Sequence, residues 1–342
     1  MKAINISRID YCQFLTVSQK NYSITYYAEH AKKCSHDVIN RFISKGKYTP
    51  SLLWEHISPD VIPSANASII FDDTVLNKRN SKKIEIARTQ YSGAAGGVTT
   101  GIGVVNLVYY NPDLEKYWVI DYRIFSPDHD GLTKIDHLLE MLNSAIYSKQ
   151  IPFKTVLFDT WYSTHKIMQH VDSLGKIYYA PIKSNRKLTR VDSSYKYQAV
   201  SSLEFSDDEL KNGIEVHLNN FAKAKHVQLF KITVSTNRVD YIVTNDKTQT
   251  SADAAQKESG FRWVIECMHR EIKQTTGIEN CQCRKQRIQR NHIACAFLVW
   301  AFLKRLANKT EKTIYQLKLG LLDDYMQQQL RSPTIKYQEI ST

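Results

Sequence analysis

Residues 68–78, SIIFDDTVLNK, place two acidic side chains directly behind a short apolar run. The run from Ser68 to Phe71 has the length and composition of a buried β-strand. Such a strand does not need Asp72 and Asp73 at its end, because unpaired carboxylates are costly to bury. The two acids are therefore either a turn signal or one corner of a metal-binding active site, and the rest of the chain must separate these alternatives.

The pattern beyond this stretch predicts an α/β domain with a sheet of mixed direction. Three strands come first, then a helix, a strand, a second helix and a further strand. The predicted strands are 67–73, 97–110, 116–125, 152–163 with a break at Asp159, and 177–183; the two helices are 131–149 and 163–174. Asp159, like Asp73, is predicted to end its strand, where functional side chains collect in sheets of this kind.

The charge of the chain points to a polyanionic partner. Its 342 residues contain 46 Lys plus Arg against 34 Asp plus Glu, which gives a net charge of +12. Nucleic acid is the polyanion that such an excess favours most, and the plain alternative is a basic protein with no such partner.

Five segments follow from changes in the residue pattern. We predict an N-terminal all-helical DNA-binding region, an α/β core in two parts with a β-rich insertion between them, and a helical tail. Their bounds are 1–62 (helical region), 63–187 (core, first part), 188–250 (insertion), 251–310 (core, helical part) and 311–342 (tail). The helices flanking Cys34 and Ser35 fit either a helix-turn-helix on DNA or a small bundle.

No membrane association is expected. The apolar run at 294–303 is too short to span a bilayer and is flanked by Arg290 and Lys304, so it predicts a buried helix. The N-terminus has no apolar signal core, which predicts an intracellular protein. Cys281 and Cys283 lack a second pair at ligand spacing, and reduced, packed thiols are expected.

A third acid is available in a predicted helix at 260–277. Apolar residues from Phe261 to Ile272 follow one helical stripe, and Arg262, Glu266 and Lys273 cluster on the opposite side. This mixed face could place a carboxylate near a metal and two cations near phosphates. An ordinary solvated face with i,i+4 charge pairing is the alternative.

Taken together, Asp73, Asp159 and Glu266 resemble the acidic triad of DDE transposases of bacterial insertion sequences, the IS4-like superfamily. The matching motifs are FDDT, VLFDTWYS, and the helical signature Y-x2-R-x3-E-x6-K, in which Arg262 and Lys273 are in register. Ser259 occupies the tyrosine position, so the resemblance does not imply the contact of that tyrosine here. The Thr74 context favours Asp73 over Asp72, and strand alternation allows only one of them to bind metal.

The resemblance implies an RNase H-like core and a DNA transposase that cuts element ends and joins the 3′-hydroxyls to target DNA. It also implies that the three acids hold two Mg²⁺ ions, with Mn²⁺ as a substitute, and that a homodimer acts on double-stranded DNA. The expected setting is the bacterial cytoplasm, at the nucleoid. The alternatives are a domesticated DNA-binding protein and another RNase H-like nuclease, such as a resolvase.

Several basic or aromatic residues are expected to contact the DNA. Their side chains carry a positive charge or an aromatic face, which suit phosphates and bases respectively. They are Arg262, Lys273, Arg270, Trp161, Lys183, Arg186 and Lys187.

Overall fold

The computed structural model describes residues 6–31, 34–81, 83–191, 196–222, 224–235 and 238–335. The chain divides into two compact units. The helical unit comprises Met1–His56, Lys78–Ala87 and His269–Thr342, and the sheet unit comprises Ile57–Asn77 and Arg88–Met268. The finer division into five segments stays a prediction.

One sheet dominates the sheet unit. Within the described residues it has eleven strands in the order β2-β3-β1-β5-β6-β11-β10-β9-β7-β8, with β4 also paired to β3. The strands are β1 Ser68–Asn77, β2 Arg88–Ser92, β3 Gly97–Asn111, β4 Lys116–Phe125, β5 Thr155–Phe158, β6 Ile177–Ile182, β7 Lys187–Arg190, β8 Gln198–Ala199, β9 Ile214–Leu218, β10 Val227–Ser235 and β11 Arg238–Thr244.

The sheet has mixed strand direction, as the sequence pattern predicts. Strand β1 runs antiparallel to β3 and parallel to β5, and β5 runs parallel to β6. A parallel pair requires a crossover connection, and for β5 and β6 the helix between them provides it. The predicted α/β class is therefore confirmed.

The insertion is β-rich, as expected, but it does not interrupt the core sheet. Strand β11 pairs antiparallel with β6, from Tyr241↔Ile182 to Thr244↔Tyr179. The insertion strands thus extend the core sheet instead of forming a sheet of their own. The insertion also contains a short helix, and β2 precedes β3; the sequence pattern predicted neither element.

Helices cover the sheet unit on both faces. The helices that lie wholly in this unit are α5 Pro127–Asp130, α6 Lys134–Asn143, α7 His165–Ser173, α8 Asp207–Asn212 and α9 Ala252–Gly260. Helix α6 packs against β3 and β4, whereas α9 packs against β6 and β10. The central strands are completely buried between these layers, as Ile70 and Leu157, each 0% exposed, illustrate.

The predicted helix at 260–277 is broken. A turn at Phe261 and Arg262 separates α9 from α10 (Trp263–Thr275), so Arg262 precedes the helix that carries Glu266. The boundary between the two units falls inside α10, after Met268. The apolar stripe is nevertheless real, because Ile265, Met268 and Ile272 are at most 1% exposed.

The helical unit is built around one long helix. Its helices are α1 Arg8–Val17, α2 Ile24–Ala31, α3 His36–Lys45, α4 Pro50–Ile57 (in this unit as far as His56), α11 Gln286–Thr310, α12 Ile314–Gly320 and α13 Asp323–Arg331. Helix α11 packs against α1 and α3 and buries most of the run at 294–303, although Phe302 is 51% exposed. Across the described residues, no helix is long and apolar enough to cross a membrane. All six cysteines are free thiols.

Candidate active site

The first acidic pair lies inside β1 and not at its end. Pairing of β1 with β3 continues from Ser68↔Tyr110 to Asn77↔Gly101, so the strand runs on beyond Asp73. The prediction that the acids end this strand is wrong, because β3 supplies hydrogen-bond partners past the apolar run. Asp159, in contrast, directly follows Phe158, the last residue of β5, as predicted.

The strand register decides which aspartate faces Asp159. Strands β1 and β5 pair in parallel up to Phe71↔Phe158, so Asp72 and Asp159 are the next positions on the two strands. Paired positions present their side chains on the same face, and neighbouring strands lie about 4.8 Å apart. Asp73 points to the opposite face.

The face that carries Asp72 is the one covered by the turn between α9 and α10. Ser68 and Asp72 lie four residues apart on β1 and therefore share a face. Ser68 is paired with Tyr110, and the ring of Tyr110 lies 5.0 Å from that of Phe261. Arg262, the next residue, is thereby brought to the same face.

Asp72 is held in an unfavourable electrostatic environment. Burial, followed by the negative charges of Asp159 and Asp73, raises its pKa to about 7, while Arg262 acts in the opposite direction. The Asp72 Oδ1 atom accepts the backbone N–H of Asp73 at 2.8 Å. A carboxyl whose charge is destabilised by a second carboxyl is a group that a bound cation would stabilise.

Asp159 is oriented by the backbone of its own loop. Its Oδ1 accepts the N–H of Trp161 at 2.9 Å and that of Tyr162 at 3.1 Å. Burial is the main cause that raises the pKa of Asp159; the negative charge of Asp73 adds to this rise, and these N–H groups and Arg262 partly offset it. The carboxylate is therefore fixed in direction by hydrogen bonds that leave its other oxygen available.

Asp73 has different partners. Its Oδ2 accepts a hydrogen bond from Lys134 Nζ at 2.6 Å, and its Oδ1 accepts one from the Tyr162 hydroxyl at 2.7 Å. An ammonium group this close disfavours a divalent cation on the same carboxylate. The geometry thus favours Asp72 over Asp73 beside Asp159, and the choice of Asp73 made from the Thr74 context stays a prediction.

Glu266 and Arg262 form an ion pair in the same unit. Arg262 Nη1 donates to Glu266 Oε1 at 3.2 Å, as in the i,i+4 alternative, and Arg262 also acts electrostatically on Asp72 and Asp159. Arg262 therefore links the third acid to the first two. In the described ranges, no group of three or more His, Cys, Asp or Glu side chains is arranged to hold a metal ion.

Two clefts in the sheet unit meet at Thr160 and Ile182. One, of about 430 Å³, is lined by Arg262, Trp263 and Glu266 together with residues of β10 and β11. The other, of about 330 Å³, contains four residues predicted to contact DNA: Trp161, Lys183, Arg186 and Lys187. The structure thus brings these four side chains to one surface, where Trp161 is 52% exposed.

Lys273 and Arg270 belong to the part of α10 that lies in the helical unit. Lys273 Nζ is 3.3 Å from Glu279 Oε1, so it has an acidic partner outside the predicted Arg262–Glu266–Lys273 face. Arg270 is exposed. Their predicted contacts with DNA stay predictions.

Lys134 is a site residue that the sequence pattern did not single out. It is the first residue of α6, after the N-cap Thr133, whose side chain forms a capping box with Asp136. A cation at a helix N-terminus opposes the helix dipole, so this position carries a local cost. A lysine at such an unfavourable position indicates, from the sequence alone, that its ammonium group has an acidic partner outside the helix.

Comparison with known proteins identifies the family. The model of the transposase DDE domain matches residues 69–302. A comparison with curated proteins finds no match. The match to the family model covers more than half of the chain, including Asp72, Asp73, Asp159 and Glu266.

Solved structures show more distant likenesses. A piggyBac transposase synaptic complex with hairpin DNA aligns over 98% of this chain and 77% of that chain, with 11% identity and a TM-score of 0.47. Endonuclease V of Ciona intestinalis, in complex with DNA, aligns over 65% of this chain and 95% of that one, with 11% identity and a TM-score of 0.31. The family assignment rests on the sequence match and confirms the resemblance stated above: the chain belongs to the DDE-domain transposases.

Proposed function

We propose that this protein is a cut-and-paste DNA transposase that cleaves the ends of its element and joins the 3′-hydroxyls to target DNA. The observation that carries the proposal is the convergence of Asp72 and Asp159 on one sheet face with Arg262 beside them. The family match supports the same activity. A homodimer on double-stranded DNA, in the cytoplasm at the nucleoid, is part of the proposal.

The residues fit a divalent cation. Asp72 and Asp159 supply oxygen ligands, and the raised pKa of Asp72, caused by burial and by Asp159, is the behaviour expected of a carboxylate pair that needs a cation. We propose that Asp72, Asp159 and Glu266 hold two Mg²⁺ ions, for which Mn²⁺ can substitute. When bound, the ions would supply charge that stabilises the attacking and leaving oxygens of the phosphodiester.

Glu266 has to change partner to join the other two acids. In the present arrangement its Oε1 is bonded to Arg262, which also lies near Asp72 and Asp159. An incoming phosphate would compete for the Arg262 guanidinium, because planar guanidinium groups bind phosphates in bidentate fashion. Arg262 would then hold the DNA backbone while Glu266 is released toward the acids.

The surface beside Asp159 is suited to DNA. Lys183 and Lys187 are exposed and Arg186 is half-buried, so three cations line one cleft with the Trp161 ring at its edge. Cations of this kind position a backbone without reading sequence, and an exposed ring can stack on an unpaired base. Lys273 and Arg270 are proposed as additional phosphate contacts.

The test uses the full chain and a DNA fragment that carries the gene with its flanking sequence. With Mg²⁺ we expect cuts at both element ends and joining of the released 3′ ends to a plasmid. Asp72→Asn, Asp159→Asn and Glu266→Gln should each abolish both steps while DNA binding persists. Loss of activity in Asp73→Asn together with full activity in Asp72→Asn would restore the choice made from the sequence context.

The rival functions give different products. A domesticated protein would bind the DNA without cutting it, and a resolvase-like nuclease would cut without joining. Binding alone, or cutting alone under conditions that support a control transposase, would overturn the proposal. Short inverted repeats bounded by direct duplications around the gene would support it independently.

A further inference from the structure

The Asp73 carboxylate forms a buried cluster on the sheet face opposite Asp72. Its two oxygens accept hydrogen bonds from Lys134 and Tyr162 at 2.6 and 2.7 Å. The side chains of Asp73 and Lys134 are only 16% and 14% exposed, and Tyr162 is fully buried. Charges this poorly solvated are stable only when their partners are fixed, so the cluster defines the positions of all three side chains.

Lys134 connects this cluster to the aromatic rings around it. Its Nζ lies 5.4 Å from the centroid of Phe125 and 5.7 Å from that of Trp161, within the range of cation–π attraction. The Trp161 and Tyr162 rings meet edge to face at 4.7 Å. The exposed ring of Trp161 is therefore held in place by a cation–π contact with Lys134, the residue that pairs with Asp73.

The cluster also connects to Asp159 through one short loop. The backbone N–H groups of Trp161 and Tyr162 both donate to Asp159 Oδ1, and the Tyr162 hydroxyl donates to Asp73. Holding the Tyr162 side chain therefore holds the two N–H groups that aim the Asp159 carboxylate. Three segments meet here: the middle of β1, the first turn of α6 and the loop after β5.

We propose that Asp73, Lys134 and Tyr162 form a positioning cluster that orients the Asp159 carboxylate on one side of the sheet and supports the Trp161 ring. Asp73 acts through Tyr162 and Lys134 and touches neither metal nor DNA. The roles of Asp159 and Trp161 as metal ligand and DNA contact rest on the proposed function. The two consecutive aspartates thus have separate tasks on opposite faces.

The two arms of the cluster predict different losses. Removing the Tyr162 hydroxyl frees the loop that aims Asp159, so metal binding should weaken. Removing the Lys134 ammonium takes away the cation that contacts the Trp161 ring, so the position of the ring should change and DNA binding should weaken. Partners that orient metal ligands typically contribute 10- to 100-fold to metal affinity or activity, and we expect roughly a 10-fold loss here.

The experiment compares Tyr162→Phe and Lys134→Met with a matched control. Lys166→Met removes the same charge from a nearby exposed ion pair, Lys166 with Asp136 at 2.7 Å. The full chain is labelled with 5-fluorotryptophan, and the ¹⁹F resonance of Trp161 is assigned with Trp161→Phe among the five tryptophans. Mn²⁺ affinity is measured by electron paramagnetic resonance, and DNA affinity by fluorescence anisotropy.

We expect Tyr162→Phe to weaken Mn²⁺ binding roughly 10-fold while DNA affinity changes less than twofold. Lys134→Met should shift the Trp161 resonance and weaken DNA binding several-fold, Lys134→Arg should largely restore both, and Lys166→Met should change neither. If Tyr162→Phe and Lys134→Met lower only the melting temperature, the cluster is merely structural and the proposal is wrong.

The ¹⁹F and Mn²⁺ measurements separate this inference from the proposed function. Neither measurement requires DNA cleavage. If the variants change the Trp161 resonance and the Mn²⁺ affinity as expected, but the wild-type protein never cuts DNA, the positioning cluster is supported and the transposase function is refuted. Normal Mn²⁺ affinity and an unchanged Trp161 resonance in these variants of an active enzyme would refute the cluster alone.

Discussion

At the scale of single residues, the proposed role of Asp72 as a metal ligand links metal binding to pH. Its pKa of about 7 in the metal-free protein means that a cation must displace a proton below that pH. The apparent metal affinity should therefore fall about tenfold for each pH unit below 7, and level off above it. Calorimetric titration with Mg²⁺ in two buffers of different ionisation enthalpy measures both the affinity and the proton released.

Asn substitutions supply the controls for this pH dependence. Asp72→Asn should remove the proton release and leave weak binding that no longer changes between pH 6 and pH 8. Asp73→Asn should keep the release but move it to lower pH, because the negative charge of Asp73 contributes to the raised pKa of Asp72. Proton release that survives in Asp72→Asn would assign the titrating carboxyl to another residue.

At the scale of elements, the pairing of β1 with β3 depends on one glycine. A Cβ at Gly101 would lie 2.4 Å from the Leu76 carbonyl oxygen and 2.5 Å from Val75 Cγ1. Because a backbone atom cannot give way without moving the strand, Gly101→Ala should destabilise the protein by about 1–3 kcal/mol. The loss is measured as the change in free energy of unfolding in urea.

A second glycine of the same strand gives the matched control. A Cβ at Gly97 would have nothing within 4 Å, so Gly97→Ala should change the stability by no more than about 0.5 kcal/mol. Equal changes in the free energy of unfolding for the two substitutions would show that strand propensity, and not the contact with Leu76, causes the loss of stability. Gly101→Ala should also lower DNA cleavage, because β1 carries Asp72.

The same elements show what the sequence could and could not predict. Apolar runs and turn residues predicted the positions of β1 and β5 and of the helices α6 and α7, because these signals are local. The register between β1 and β5 is a non-local property, so the sequence pattern allowed only one of Asp72 and Asp73 at the metal but could not show which one faces Asp159. Similarly, pairing of β11 with β6 joins distant segments, and no local signal marks it.

At the scale of the whole molecule, the candidate site and the stability of the helical unit depend on different residues. The acids proposed as metal ligands and the cleft cations proposed to contact DNA lie in the sheet unit, whereas the helical unit is organised around α11. Within the helical unit, His292 is 0% exposed; its Nδ1 accepts from the Tyr11 hydroxyl at 2.9 Å and its Nε2 donates to the Gly277 carbonyl at 3.0 Å. A neutral ring with its proton on Nε2 satisfies both hydrogen bonds, and burial disfavours the charged form.

This requirement predicts acid lability of the helical unit. Burial, together with the positive charge of Lys78, lowers the pKa of His292 to about 4 from its ordinary value of 6.5. Between these pH values the unfolded chain binds the proton and the folded chain does not, so stability is complete above pH 6.5 and is lost as pH falls toward 4. The loss over this window should approach about 3 kcal/mol, at 1.36 kcal/mol per pKa unit.

Urea unfolding at pH 7 and pH 4.5, followed by the far-ultraviolet circular dichroism of the helices, measures this loss. His292→Gln keeps a donor and an acceptor near Gly277 and Tyr11 but has no group that titrates, so its stability should be lower at pH 7 and change less between the two pH values. His30→Gln replaces an exposed histidine of the same unit and should retain the full pH dependence of the wild type. A pH dependence that is the same in all three proteins would assign the acid lability to other groups: to His269 of the same unit, whose pKa burial lowers to about 3, or to carboxylates.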